Sequence, residues 1–217
     1  MVDVVLRNCR YVVTQDGERR VLRNASVAIE DGEIIDVDKE VDGGDEVVDC
    51  SRLAAVPALV NAHCHLGACC IRGLADDLGF WEWIGYVSQE LEPKLTRDAV
   101  YLGALAGCVE LIRSGVSAVF DSYLFPREAV RAVSDAGLRG VIGYGVMEDP
   151  RFGELSQQIS NAEKFVREVQ ALKNPRISPA IAPHSLYKCE EDALLRCVDL
   201  AKRYSIPLTM HLSLIHI

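Results

Sequence analysis

Short apolar runs punctuated by turn dipeptides fill the first fifty residues. Val-Asp-Val-Val-Leu and Tyr-Val-Val-Thr come first, followed by Asp16-Gly17, and Ala-Ser-Val-Ala-Ile-Glu is followed by Asp31-Gly32. Glu-Ile-Ile-Asp-Val then leads to Gly43-Gly44 and Glu-Val-Val-Asp. Asp-Gly between β-rich runs is a hairpin signal, so this stretch reads as a small antiparallel β module. From residue 55 the period changes. An apolar run at 55–62 reads as a buried strand, and a long connection spans 66–94. Thr96 is a good N-cap, and Val100, Leu102, Leu105, Val109, Leu111 and Ile112 form a helical stripe that stops at Gly115. Strand and helix then alternate. Val116–Phe120 is a strand, Pro126 opens a helix that Gly137 closes, and Val141–Val146 is a strand. A polar helix runs from about Glu154 to Lys173, Ile177–Pro183 is a strand, Glu190–Tyr204 is an amphipathic helix and Pro207–Met210 is a strand. Five strand units joined by helices imply an α/β fold with a parallel sheet and right-handed crossovers.

The chemistry-bearing residues fall at the ends of these strands. Side chains alternate along a strand, so His63 and His65 point one way and Cys64 the other. Two converging imidazoles supply half of a metal site; the alternative is a pair hydrogen-bonded in a core. Asp121, His184 and His211 follow other strands in the same manner. In a (β/α)₈ barrel that rim is where active sites are built. Three imidazoles with an open fourth position suit a catalytic divalent ion. His184 reads equally as a core histidine or a ligand, and Glu92, taken alone, as an exposed helix-end carboxylate. Asp76-Asp77 more naturally shapes a turn than forms an acid–base pair. Trp81 and Trp83 fit a core, and Arg72 and Arg151 fit loop structuring.

Composition narrows the partners. The 217 residues are 49% hydrophobic and 25% charged with a net charge of −9, ordinary for a globular protein. The absence of any block of lysine or arginine argues against nucleic acid and anionic membrane as partners. The N-terminus lacks the charged-then-apolar pattern of a secretory signal, and no apolar run is long enough to span a bilayer. Eight cysteines (Cys9, Cys50, Cys64, Cys69, Cys70, Cys108, Cys189 and Cys197) lack any Cys-x-x-Cys spacing. They read as free, mostly buried thiols in a reducing cytoplasm, with a thiolate ligand from Cys64, Cys69 or Cys70 as the minor alternative.

Val-Pro-Ala-Leu-Val-Asn-Ala-His-Cys-His-Leu resembles the first-strand signature of the amidohydrolase superfamily. Ile-Arg-Gly-Leu-Ala-Asp-Asp-Leu-x-x-Trp-x-Trp, Glu92, Ala-Pro-His-Ser and Met-His-Leu resemble its methylthioadenosine/S-adenosylhomocysteine deaminase branch. The resemblance runs from about residue 2 to residue 212. It implies an incomplete (β/α)₈ barrel over residues 55–217, preceded by a small antiparallel β-sandwich module over residues 1–54. It further implies that His63, His65 and His211 are metal ligands for zinc, or alternatively iron, and that Glu92 and His184 bind substrate. The implied reaction is hydrolytic deamination of an aminated purine nucleoside or similar heterocycle. Guanine-type deaminases and triazine hydrolases are the related alternatives, and a non-catalytic metal-binding remnant is the rival of another class.

The chain departs from that pattern in two places. The family continues its strand-five histidine as His-x-x-Glu, with the glutamate moving protons, but Leu214 stands third after His211, and His216 faces away. No catalytic proton carrier is therefore assigned. Where the resembling deaminases carry a strand-three arginine, this chain has Tyr144. Five strand units cannot close an eight-stranded barrel. The sequence accordingly reads as the N-terminal half of a longer, homo-oligomeric enzyme, with the fragment itself inactive.

Overall fold

The computed structural model describes residues 2–38, 41 and 43–212. The chain divides into two compact units, Met1–Ala58 and Leu59–Ile217.

In the first unit, β1 (Val4–Val13), β2 (Val21–Glu30), β3 (Glu33–Asp38), β4 (Glu46–Asp49) and the short β5 (Ala54–Ala55) form one sheet. The two apolar runs at the start are one strand, β1, whose pairing with β2 shifts register between Leu6 and Cys9. Asn8, at φ 59°, sits at this bulge and donates its amide to Ser26 Oγ at 3.1 Å. Asp31 and Gly32 both have positive φ, as a two-residue turn between β2 and β3 requires. Asp16 instead organises a longer turn, its Oδ1 accepting the amides of Glu18 and Arg20. The sheet is not purely antiparallel: β4 and β5 both pair parallel to β1. Hairpin signals fix the hand of a direct connection, whereas β4 follows no tight turn from its partner, so its direction is set by packing. Cys9, Val12, Ala25, Val27 and Cys50 form this unit's core.

In the second unit, β6 (Leu59–Cys64), β7 (Val116–Ser122), β8 (Arg139–Val146) and β9 (Ile177–Pro183) lie side by side in sequence order, all parallel. The connection from β6 to β7 contains a 3₁₀ turn at Leu66–Ile71, helix α1 (Phe80–Tyr86), a π-helical turn at Val87–Leu91 and a 3₁₀ turn at Glu92–Lys94. It ends with α2 (Arg97–Arg113), which Thr96 caps by accepting the Ala99 amide at 3.2 Å. Three further helices follow their strands: α3 (Pro126–Ala136), closed by left-handed Gly137; α4 (Leu155–Ala171); and α5 (Glu191–Tyr204). The core lies between the sheet and these helices, with Val119, Val133, Ile142 and Phe165 in one cluster and Val146, Val166, Ile181 and Leu200 in the next.

Three sequence expectations change here. The strand leading to His63 is not buried: Leu59 and Val60 are 62% and 66% exposed, because β6 pairs with β7 on one side only among the described residues. Of the apolar stripe on α2 only Val100 is fully buried; Leu105 and Leu111 are partly buried, Leu102, Val109 and Ile112 are exposed, and the rest of the buried face is Gly103, Ala104, Gly107 and Cys108. A Cβ on Gly103 would lie 2.8 Å from the Gly67 carbonyl oxygen and 2.9 Å from the Cys70 amide nitrogen, so the small residues seat the 3₁₀ turn against the helix. Finally, residues 207–211 form only isolated bridges rather than a continuous strand. They run beside β9 through parallel bridges at Ile181–Leu208 and Ser185–His211. No helix among the described residues is long and apolar enough to cross a membrane.

Candidate metal centre

His63 lies at the C-terminal end of β6, His65 just beyond it, and His211 at the end of the segment beside β9. Parallel pairing puts all three at one rim. The His211 amide donates to the His184 carbonyl at 2.8 Å, which fixes the register of the last segment. Ring centroids are 5.0 Å apart for His63–His65, 4.9 Å for His63–His211 and 5.1 Å for His65–His211. One nitrogen of each ring lies within 4.8 Å of the other two. Nitrogens bound at about 2.0–2.1 Å to one tetrahedral ion lie about 3.4 Å from each other, so the donor set fits a cation once each ring nitrogen moves inward by up to about 0.8 Å. Half-buried His65 and His211 carry the inner part of the site, and His63 is exposed.

The electrostatics favour neutral rings at His65 and His211. Burial pushes the His211 pKa down to about 4, with further depression from His65, His184 and His63. Burial is likewise the main cause of the lowered value at His65, where the Ser122 carbonyl acts in the opposite sense. That carbonyl sits in short contact with His65 Nδ1. A carbonyl only accepts, so Nδ1 carries the hydrogen and Nε2 keeps the free lone pair.

The other sequence-assigned residues stand around this set rather than in it. His184 packs against His211 at 5.0 Å between centroids, and its Nδ1 lies 3.0 Å from the hydroxyl of fully buried Ser185. Burial, then the Lys188 charge, lowers its affinity for a proton. Glu92 begins the 3₁₀ turn before α2. Burial raises its pKa, against opposing influences from the Tyr123 hydroxyl and the Arg151 charge. Tyr123 bridges the two regions: its ring lies 5.9 Å from that of His65, and its hydroxyl faces Glu92 without full hydrogen-bond geometry. Arg151 is held by Asp149 through Nε at 2.9 Å and Nη2 at 2.7 Å, and it helps line a hollow of about 310 Å³ with Ser88, Gln89, Pro93 and Lys188. A slightly larger hollow of about 360 Å³, lined by Val141, Ile177 and Pro207, lies toward the opposite ends of β8 and β9. Leu214 and His216 lie outside the described residues.

Sequence reasoning passed over two contributors. The Ser122 carbonyl is main chain and leaves no side-chain signature. Tyr123 follows a strand end that was marked for Asp121, but nothing in its spacing distinguishes it from a core aromatic.

The amidohydrolase family model matches residues 54–216. The chain is 36% identical over 178 residues to a 5'-deoxyadenosine deaminase of Methanocaldococcus jannaschii, covering 82% of this chain and 42% of that protein. It is 38% identical over 222 residues to a 5-methylthioadenosine/S-adenosylhomocysteine deaminase of Desulfovibrio desulfuricans, covering 96% and 48%. Among solved structures, an adenosine deaminase from Xanthomonas campestris with bound zinc superposes with a TM-score of 0.85 at 26% identity, over 97% of this chain and 49% of that one. The zinc complex of an atrazine chlorohydrolase from Arthrobacter aurescens gives a TM-score of 0.86 at 18% identity, over 97% and 53%, a likeness of fold alone. The chain spans about half the length of the curated relatives it matches.

Proposed function

The chain belongs to the amidohydrolase family, and on that premise we propose that it carries the three-imidazole part of a metal-dependent deaminase centre. The substrate class is an aminated purine nucleoside or a similar heterocycle, as the names of its relatives suggest. The observation that carries the reading is the convergence of His63, His65 and His211, from segments almost 150 residues apart, within 4.8 Å. A divalent cation suits three imidazoles, with zinc ahead of iron because zinc is bound in the related adenosine deaminase. When bound, the ion supplies the Lewis acidity that makes water a nucleophile near neutral pH.

The protein's own groups divide the remaining work. His65 offers Nε2 because Nδ1 is occupied by Ser122. His184, unprotonated at neutral pH through burial, faces the same rim and contacts the heterocycle. Glu92 accepts hydrogen bonds from the sugar hydroxyls. Substrates without a carboxylate are favoured, for two reasons. Tyr144 packs on Phe165 in the helix layer at 5.6 Å between centroids, and Arg151 is already neutralised by Asp149. The three-donor set contains no carboxylate, and Leu214 has no proton to move. Residues 1–217 by themselves are therefore expected to bind metal yet turn over little substrate.

Metal-free protein titrated with Zn²⁺ tests this directly. One equivalent should bind to the wild type, and affinity should collapse in His63→Ala and His211→Ala. A wild-type chain that takes up no ion would remove the basis of the reading. Rapid ammonia release from nucleosides by the unaccompanied chain would overturn the expectation of inactivity.

A further inference from the structure

The 3₁₀ turn Leu66–Ile71 begins without a side-chain cap from its own N-cap residue. Its N-cap position is His65, whose side chain makes no hydrogen bond to the turn's amides. That ring is committed to the Ser122 carbonyl and to the cluster with His63 and His211. The Leu66 amide is an orphan donor of the first turn, on a residue only 3% exposed, and a buried donor cannot go unpaired cheaply. The acceptor comes from the next strand. Asp121 Oδ1 takes the Leu66 N–H at 2.6 Å, and the Cys64 thiol lies 3.8 Å from the same oxygen. One carboxyl oxygen thus holds the residues on both sides of His65. Asp121 itself is completely buried, and its Oδ2 has no partner among the described residues.

A buried carboxyl with an idle oxygen is a costly cap, and an ordinary turn would use Ser, Thr, Asp or Asn at its own N-cap position. Here that position is taken by a residue needed for its imidazole. We propose that Asp121 is a positioning residue of the metal centre. It fixes the backbone around His65, while the adjacent Ser122 carbonyl fixes that ring's tautomer. Two consecutive residues of β7 therefore set both where His65 stands and which nitrogen it presents. Gly103 and Gly107 of α2 close on the same turn from the other side, so its position is defined from two directions.

This inference rests on the reading of the three imidazoles as metal ligands, and the test separates the two. Co²⁺, whose visible spectrum reports ligand geometry, is titrated into the metal-free full chain, with Zn²⁺ in competition. Asp121→Asn keeps an acceptor oxygen and should bind within about threefold of wild type with the same spectrum, whereas Asp121→Leu should lose about 10- to 100-fold and shift the spectrum. Far-UV circular dichroism should stay unchanged in both. Wild-type affinity and spectrum in Asp121→Leu would overturn the proposal, as would an asparagine variant as impaired as the leucine one. If Asp121→Leu does not fold, the decision passes to Asp121→Asn and to hydrogen exchange at Leu66. A wild-type spectrum with a slowly exchanging Leu66 amide upholds the anchor, and a shifted spectrum or an unprotected amide defeats it. Absence of cobalt binding by the wild type would instead strike at the metal reading itself.

Discussion

Among the imidazoles, His211 has the most strongly depressed pKa, held near 4 by burial and by three neighbouring rings. An unfolded histidine titrates near pH 6.5, so between about 6.5 and 4 this residue binds more protons in the unfolded chain than in the folded one, and its contribution to stability falls as pH falls through that window. His65 and His184 are shifted in the same direction and add to the slope. Buried Asp121, its pKa pushed up to about 7, takes up a proton over the same range and acts in the opposite sense. The histidine contribution is therefore read as a difference: between about pH 7 and 4 the urea midpoint of metal-free wild-type protein should fall relative to that of His211→Leu. A wild-type midpoint that does not fall relative to His211→Leu on acidification would contradict the burial of that ring. Because protons and metal compete for the same lone pairs, acid release of zinc should begin below the usual imidazole range.

At the scale of the element, α2 separates two effects that are easily confused. Thr96→Ala removes the cap on the Ala99 amide and should cost about 1 kcal/mol while leaving zinc affinity intact. Gly103→Ala would raise helix propensity by itself, yet its new methyl would meet the backbone of Gly67 and Cys70 at less than 3.0 Å. Backbone cannot rotate out of the way as a side chain can, so the clash decides the sign. A loss of about 1–3 kcal/mol is expected, together with weaker metal binding as the turn after His65 is displaced. Chemical denaturation and a zinc titration of both variants check the pair. Equal zinc affinity in Gly103→Ala would show that α2 supports the fold without setting the site.

For the molecule as a whole, the sheet of the second unit presents β6 as an edge. Leu59 and Val60 stand more than 60% exposed, and β6 has no second strand partner among the described residues. Apolar, unpaired edges template further pairing. The purified chain is expected to self-associate as its concentration rises, and Val60→Lys should suppress that association in analytical ultracentrifugation. A monodisperse wild-type chain at high concentration would count against it.

The sequence was most readable where the local pattern is itself the cause. Asp31-Gly32 makes its turn because both residues tolerate positive φ, Thr96 caps α2 through its own hydroxyl, and strand–helix alternation forces a parallel sheet. His63 and His65 were visible as a pair because residues two apart on a strand share a face. What lies between distant segments was not readable. The parallel pairing of β4, the burial of glycines rather than leucines on α2, and the bracing of His65 by Asp121 and Ser122 all depend on which surfaces meet. Local chemistry states which groups a residue can offer. Only the folded chain brings together an acceptor and a donor 55 positions apart, because burial leaves the Leu66 amide no water to bond and Asp121 is the partner within reach.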